Sequence, residues 1–435
     1  MLPLPPSLPP SPLPPSPRAT EDVDALYNPH YGYFSKHAVI FETAQPFDFP
    51  GMKDGLEFHK RLAQEYTAFE NALDAVSLNL ARQLWHTPTE LFRPYYGEAI
   101  ARYLVTNYKL SLFPYNDLII FEMGAGNGTM MVNILDYIRR TDPDVYDRTK
   151  YKVIEISAPL AALQRTQASS KGHADKIEVI NKSIFDWAVF VPDPCFLLAL
   201  EVFDNFAHDM IRYDPDTEVP YQGIVLCDED GDFHDFYSRQ LDPIAERFLL
   251  VRQHVVRTPF DHPLNTPRFL RKVRSSLPGA SNLTKPEYIP TKAMLFFDVL
   301  RDYFPAHRLV MSDFHSLPDA VPGVNAPVVQ TRFEREAISV TTPFVCSDRR
   351  SPHSLDVNTN LLSRRQVQQG YFDILFPTDF DVVDDMYKAL TGKLTRVMKH
   401  ENFMSRWAYL EETETRSGEN PLLDWYKNVS MLSSV

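Results

Sequence analysis

The sequence predicts an α/β fold with a mostly parallel central sheet, and three observations predict it. From Asp117 onward, short apolar runs alternate with amphipathic stretches, the pattern that βαβ units impose because crossover helices bury both faces of each strand. Glycines are few, 15 in 435 residues, yet Gly124, Gly126 and Gly128 fall at alternate positions directly after one of those runs. Hydrophobic residues make up 44% and charged residues 23%, ordinary for a globular chain that can bury a core.

The elements follow in order. Residues 1–17 hold nine of the 36 prolines and no charged side chain, which favours extended polyproline over packing, so residues 1–24 read as a disordered tail. Tyr27-Asn-Pro-His-Tyr-Gly-Tyr-Phe34 is turn-prone and aromatic. From Leu56 to Leu84 apolar side chains recur at Leu62, Tyr66, Phe69, Leu73 and Val76, the spacing of one buried helix face. Thr87-Pro88 is an N-cap followed by proline in the first turn, and Leu91 to Tyr108 is the next helix.

Leu118–Phe121 is then a buried strand, 127–140 a helix, Tyr151–Glu155 a strand and 159–169 a helix. Ile177–Ile180, Phe196–Leu200 and Gly223–Cys227 complete five strands in about 110 residues, while Gly231–Tyr237 alternates like a hairpin outside the parallel order. Residues 240–290 read as a mainly helical insertion, a natural place for specificity, followed by a helix at 291–303 and a strand at Arg308–Ser312. Val328–Arg332 and Tyr371–Phe376 are further strands and 383–394 a helix. The expected division is a tail at 1–24, an N-terminal helical region at 25–110, a core at 111–335 with its insertion, and a C-terminal extension at 336–435 packing on the core.

Charge and cysteines exclude several classes. A formal charge of −13 disfavours gripping phosphate backbones, so no nucleic acid is expected as a partner. Cys195, Cys227 and Cys346 have no zinc spacing and read as thiols in a reducing compartment, with no metal expected. No run reaches the roughly 18–20 apolar residues a membrane span needs.

The chemistry centres on Glu122-Met-Gly-Ala-Gly-Asn-Gly128. Glycine permits the tight turn and lets backbone approach a ligand at the carboxyl edge of the sheet, although a plain strand-to-helix turn uses glycine too. Gly124, Ala125, Gly126, Asn127 and Gly128 therefore read as a cofactor loop, with Glu155 at the end of the second strand placed to accept from ribose hydroxyls and Ile156 beside it. A dinucleotide fingerprint would put its third glycine at position 129, which is Thr129. Glu122 suits a cationic aminoacyl group better than a pyrophosphate, which favours S-adenosyl-L-methionine; an NAD-dependent oxidoreductase remains the less favoured reading. In Lys182-Ser-Ile184-Phe185-Asp186 an apolar side chain could stack on adenine and Asp186 accept from its amino group, or Asp186 could cap a helix. Glu201 and Asp204 put two carboxylates at the mouth of the cleft, where they could hold a guanidinium and take its proton, or one could cap the next helix.

Taken together, these segments resemble the MidA-like mitochondrial complex I assembly methyltransferases. The matching residues are Asn28-Pro-His-Tyr-Gly-Tyr-Phe34, Thr87-Pro-Thr-Glu90 with Tyr96-Gly-Glu98, Glu122 to Gly128, Val153-Ile-Glu155-Ile-Ser157 with Leu163 and Gln164, and Glu201 to Phe206. The resemblance implies a Rossmann-like class I methyltransferase, S-adenosyl-L-methionine as cofactor, a protein arginine acceptor on a respiratory complex I subunit, and a mitochondrial location, with the cytoplasm as the alternative. Leu200 stands where the family commonly has asparagine, residues 44–86 differ, and the family's D-Y-G-H element is present only as Ser312-Asp-Phe-His315. A diverged member follows, and with it the alternative of a methyltransferase-like assembly or binding protein with little or no turnover.

Overall fold

The computed structural model describes residues 26–28, 32–36, 38–80, 82–227, 233–256, 262–275, 281–318, 320, 324–340 and 370–434. The proline-rich tail and Cys346 lie outside them.

Seven strands form the main sheet: β1 (Leu118–Met123), β2 (Thr149–Glu155), β3 (Ile177–Asn181), β4 (Cys195–Leu200), β5 (His307–Phe314), β6 (Thr395–Lys399) and β7 (Val429–Ser434), in the order β6-β7-β5-β4-β1-β2-β3. Strands β1 to β5 are mutually parallel where they pair, and β7 runs antiparallel between β5 and β6. The order reverses between β1 and β4, so a crevice opens at their carboxyl ends, the place where open α/β sheets bind ligands.

The central strands β1 and β4 read as near-continuous apolar runs because both faces are covered. Leu118 and Ile120 of β1 face one core with Tyr151, Val153, Phe196 and Leu198, whereas Ile119, Phe121 and Met123 face the other with Ile154, Leu197 and Ala199. The first face is covered by helices α2 (Tyr95–Ser111) and α3 (Thr129–Thr141), the second by α5 (Thr291–Tyr303) and α6 (Phe380–Thr391). Helix α1 (Gly55–Val76) precedes them and α4 (Ala158–Ser170) follows α3. Helix α1 ends at Val76, short of the expected Leu84, because Gln83–Trp85 leaves the helical path to pair in parallel with Ala38–Ile40. Its buried Phe58 joins Phe47, Phe49, Phe92 and Trp425 in an aromatic cluster, which is what residues 44–86 build.

Three expectations are corrected. Gly223–Cys227 is not a fifth strand of the parallel order: Pro220–Cys227 pairs antiparallel with Asp209–Tyr213 and with Phe233–Ser238, in a separate four-stranded sheet completed by Glu287–Ile289. The 240–290 insertion is therefore part helix, at Pro243–Val255 and Arg268–Ser275, and part strand. A buried Arg252–Glu287 pair at 2.6 Å, with Tyr213 Oη donating to Glu287 at 2.7 Å, ties its helix to that sheet. Third, the last third of the chain supplies β6 and β7 to the main sheet itself. Asp373–Leu375 pairs with Val328–Phe333, as part of a small three-stranded sheet. No helix among the described residues is long and apolar enough to cross a membrane.

Candidate functional site

The glycine loop links β1 to α3, and all three glycines have left-handed backbone, φ +71° at Gly124, +51° at Gly126 and +85° at Gly128. A side chain is disfavoured there on backbone grounds alone, and space is tight as well. A Cβ at Gly126 would lie 2.8 Å from Ile40 Cδ1, and one at Gly124 3.2 Å from Val202 Cγ2. Ala125 is buried beneath the loop, and Asn127 is half-buried.

Glu90, from the Thr87-Pro-Thr-Glu element, supports the loop from outside. Thr87 caps the short helix Pro88–Leu91 by accepting from the Glu90 N–H, and the Glu90 carboxylate accepts from Thr129 Oγ1 at 2.6 Å. Thr129, which lacks the third glycine of a dinucleotide loop, thus has a partner that fixes the start of α3.

Two carboxylates flank the loop. Glu122, at 4% exposure, accepts from Tyr151 Oη at 2.7 Å, and burial pushes its carboxyl up to about 7. Glu155 is also buried; its two oxygens accept from Ser157 N–H at 2.8 Å and from Gln164 Nε2 at 2.9 Å, and desolvation raises its pKa. The same Gln164 nitrogen donates to Gly126 O at 2.9 Å, while Gln164 Oε1 is buried and unpartnered among the described residues. Gln164 thereby couples the loop to Glu155. Ile156, next to it, is 52% exposed.

The predicted adenine wall is arranged differently from the simplest expectation. Ile184–Asp186 is a single 3-10 turn capped by Ser183, so Asp186 caps nothing and its side chain is exposed. Ile184 is buried in the core, and Phe185 packs with Lys292 Nζ 3.9 Å from its ring centroid and edge-on to Phe206 at 5.5 Å. Desolvation lowers the pKa of Lys292, opposed by the nearby Asp186 carboxylate.

After β4 the chain turns sharply. Glu201 adopts φ +55°, rare for a residue with a side chain, and Phe203–Asn205 forms another 3-10 turn with no side-chain cap. The helix-capping alternative for Asp204 therefore does not hold: its Oδ1 is buried without a partner among the described residues. Asp313, at the end of β5, organises this turn. Its Oδ2 accepts from the N–H groups of Phe203 at 2.8 Å and Asp204 at 3.2 Å, and Oδ1 from that of Phe314 at 2.7 Å. Burial, with Asp313 nearby, lifts Glu201 to about 8; burial with Asp313, Asp373 and Glu201 nearby raises Asp204 well above the carboxylate range. The N-terminal Tyr27 has its phenol raised by burial and then by the charges of Asp204, Asp373 and Glu155.

All the sequence-predicted carboxylates except Asp186 thus lie buried or half-buried at or just beyond the carboxyl ends of β1, β2 and β4. Sequence reasoning missed Glu90, Asp313 and Asp373 as site residues, and Gln164 as the coupling residue. Glu90, Gln164 and Asp313 stood within recognised motifs but had no visible partner. Among the described residues no group of histidine, cysteine and carboxylate side chains could hold a metal ion.

A family model described as "Putative S-adenosyl-L-methionine-dependent methyltransferase" matches residues 99–398. The chain belongs to that family. Two curated relatives carry the name protein arginine methyltransferase NDUFAF7 homolog, mitochondrial. The one from Schizosaccharomyces pombe is 26% identical over 322 residues, 73% of this chain. The one from Saccharomyces cerevisiae is 22% identical over 354 residues, 78% of this chain. The chain spans 65% of the first relative's length and 77% of the second's. A Burkholderia thailandensis protein solved with S-adenosyl-homocysteine bound shares the fold, with a TM-score of 0.54 at 12% identity over 96% of this chain and 87% of that one. The fold is the Rossmann-like methyltransferase class, and the family's cofactor is S-adenosyl-L-methionine.

The residues present fit that cofactor. The loop glycines leave no Cβ between backbone and ligand, Glu155 keeps acceptor capacity for ribose hydroxyls beyond its two hydrogen bonds, and Glu122 offers a buried carboxyl to an ammonium group.

Proposed function

We propose that this protein transfers a methyl group from S-adenosyl-L-methionine to a nitrogen of a protein arginine in mitochondria, with a subunit of respiratory complex I as the acceptor. The observation that carries the reading is the turn after β4, where Glu201 and Asp204 stand at the crevice with no lysine or arginine paired to them among the described residues. Buried carboxyls without a cation are unfavourable to ionise. A guanidinium supplies the missing charge and a planar set of N–H donors. The names of the two yeast relatives support an arginine acceptor and a mitochondrial setting.

When bound, the cofactor supplies an electrophilic methyl group. Gly124 to Gly128, Glu122 and Glu155 hold it at the edge of β1 and β2. Asp204 orients the acceptor. The acceptor nitrogen must shed one proton on methylation, and the Glu201 carboxyl is placed to take it. Near neutrality that carboxyl holds a proton of its own, being lifted to about 8; a guanidinium beside it brings it back to the ionised form. Most of the rate enhancement then comes from holding two reactants in a dry crevice.

Calorimetry with S-adenosyl-L-methionine and with NAD, followed by methyl transfer to an arginine-containing acceptor, tests this reading. Binding of the first and not the second is expected, with transfer abolished by Asp204→Ala. Heat with NAD alone would overturn it.

One observation favours the second reading, a binding protein with little turnover. Leu200 lies directly opposite Ser312 in the β4–β5 ladder, and the buried Ser312 Oγ sits beside the Tyr96 hydroxyl with no well-formed hydrogen bond to any group among the described residues. That reading expects cofactor binding without transfer.

A further inference from the structure

The carboxyls behind the crevice differ in what they are free to bind. Asp313 is saturated by main chain: three N–H groups at 2.7 to 3.2 Å engage its two oxygens, so it holds the turn in place. Asp204 is not; its Oδ1, in a residue 3% exposed, meets no donor among the described residues. Asp373, 2% exposed, comes from the Asp373–Leu375 strand, far along the chain.

That strand is fastened to the turn by three contacts. Asn205 Nδ2 donates to Asp373 Oδ1 and to Ile374 O, each at 3.1 Å, and Phe376 N–H donates to Asp204 O at 2.8 Å. Asp373 Oδ1 also accepts from the Ile374 N–H at 2.9 Å. The two bonds to the Asp373 carboxyl both fall on Oδ1, which fixes its orientation and commits nothing of Oδ2.

Groups packed around the pair come from every side: Glu201 and Asp313 from the main sheet, and Tyr27 and Tyr33 from the N-terminal segment. None is a cation, and no lysine or arginine among the described residues pairs with the four acids. Burial lifts Asp313 and Asp373 to about 7. A fixed carboxyl beside an orphaned one, both nine-tenths buried, suits a cation that presents donors along more than one edge. A guanidinium does; an ammonium is a point charge.

We propose that Asp373 is an acceptor-binding residue, and that with Asp204 it grips the guanidinium of the arginine to be methylated. This rests on the arginine-methylation reading above. The two carboxyls take different edges of the guanidinium and leave one terminal nitrogen directed at Glu201 and the cofactor side.

The test uses the full chain saturated with S-adenosyl-homocysteine, titrated calorimetrically with N-acetyl-arginine amide and with its neutral isostere N-acetyl-citrulline amide. Asp373→Asn keeps the oxygen that accepts from Asn205 and Ile374 but removes the charge. It is expected to weaken arginine-probe binding by roughly ten- to a hundred-fold, the range for loss of a hydrogen bond between charged groups, while leaving S-adenosyl-homocysteine binding and citrulline-probe binding unchanged. Unchanged arginine-probe affinity in Asp373→Asn, with Asp204→Asn weakened, overturns the role of Asp373 and leaves the arginine reading standing. A wild-type protein that does not distinguish arginine from citrulline overturns both. The wild-type titration also reads the role without any variant: in buffers of different protonation heat near pH 6.5, arginine-probe binding is expected to release protons as the carboxyls ionise. Binding without proton release overturns it.

Discussion

Gly124→Val probes the cofactor loop with a cost that can be worked from the structure. At φ +71° a side chain strains the backbone by about 1–2 kcal/mol. The new Cβ would stand 3.2 Å from Val202 Cγ2, and valine adds two further methyls to that contact; forcing extra carbon into a packed place costs about 1–3 kcal/mol. The strain is relieved if the loop draws back, which removes the cradle. A total of about 2–5 kcal/mol predicts S-adenosyl-L-methionine affinity lower by at least about 30-fold, read by isothermal titration. Gly392 supplies the control. Its φ is also +71°, yet nothing lies within 4 Å of its Cβ position, so Gly392→Val carries backbone strain alone, far from the crevice, and should lower the melting temperature without touching cofactor affinity. If Gly124→Val binds within about threefold of wild type, the loop is not the cofactor cradle.

Other perturbations have definite signs. Glu122, pushed to about 7 by burial, holds its proton longer folded than unfolded, so the fold loses stability as pH rises from the ordinary glutamate range through about 7. Glu122→Gln should flatten that fall in a melting series without cofactor; an unchanged slope would contradict the burial account. Arg252→Ala leaves the buried Glu287 carboxylate without its arginine, with the Tyr213 hydroxyl and His262 beside it, and should cost about 3–5 kcal/mol in chemical denaturation, whereas a loss below about 1 kcal/mol would mean the insertion sheet is not held by that pair. Leu200→Asn places an amide opposite the buried Ser312 Oγ, which sits beside the Tyr96 hydroxyl without a well-formed bond, so it should be tolerated within about 1 kcal/mol; a cost of several kcal/mol in the same assay would show that no partner is in reach.

Strands β1, β2, β4 and β5 were legible because each is largely buried and bounded by turn residues, and the half-exposed edge strand β3 because Ile177, Val179 and Ile180 cluster in one short run. Strands β6 and β7 were not. Thr395–Lys399 is an edge strand with mostly exposed or half-exposed side chains, and Val429–Ser434 is half serine although buried throughout; neither carries the apolar run that marks an interior strand. Gly223–Cys227 was legible as a strand but not as a member of a different sheet, since apolar character does not name a partner. At the site, the loop and Glu155 were readable from position alone. Glu90, Gln164, Asp313 and Asp373 were not, because their roles consist of contacts with residues up to 168 positions away. The loop drew attention through its glycines, and the structure gives those glycines their reason: Ile40 and Val202 leave no room for a Cβ.

The most direct test of arginine methylation is to incubate the full-length protein with methyl-labelled S-adenosyl-L-methionine and a mitochondrial protein fraction, and to locate the label by peptide mass spectrometry. The predicted result is label on an arginine, absent with Asp204→Ala although that variant still binds the cofactor. Tight cofactor binding by the wild-type protein with no labelled arginine would contradict it.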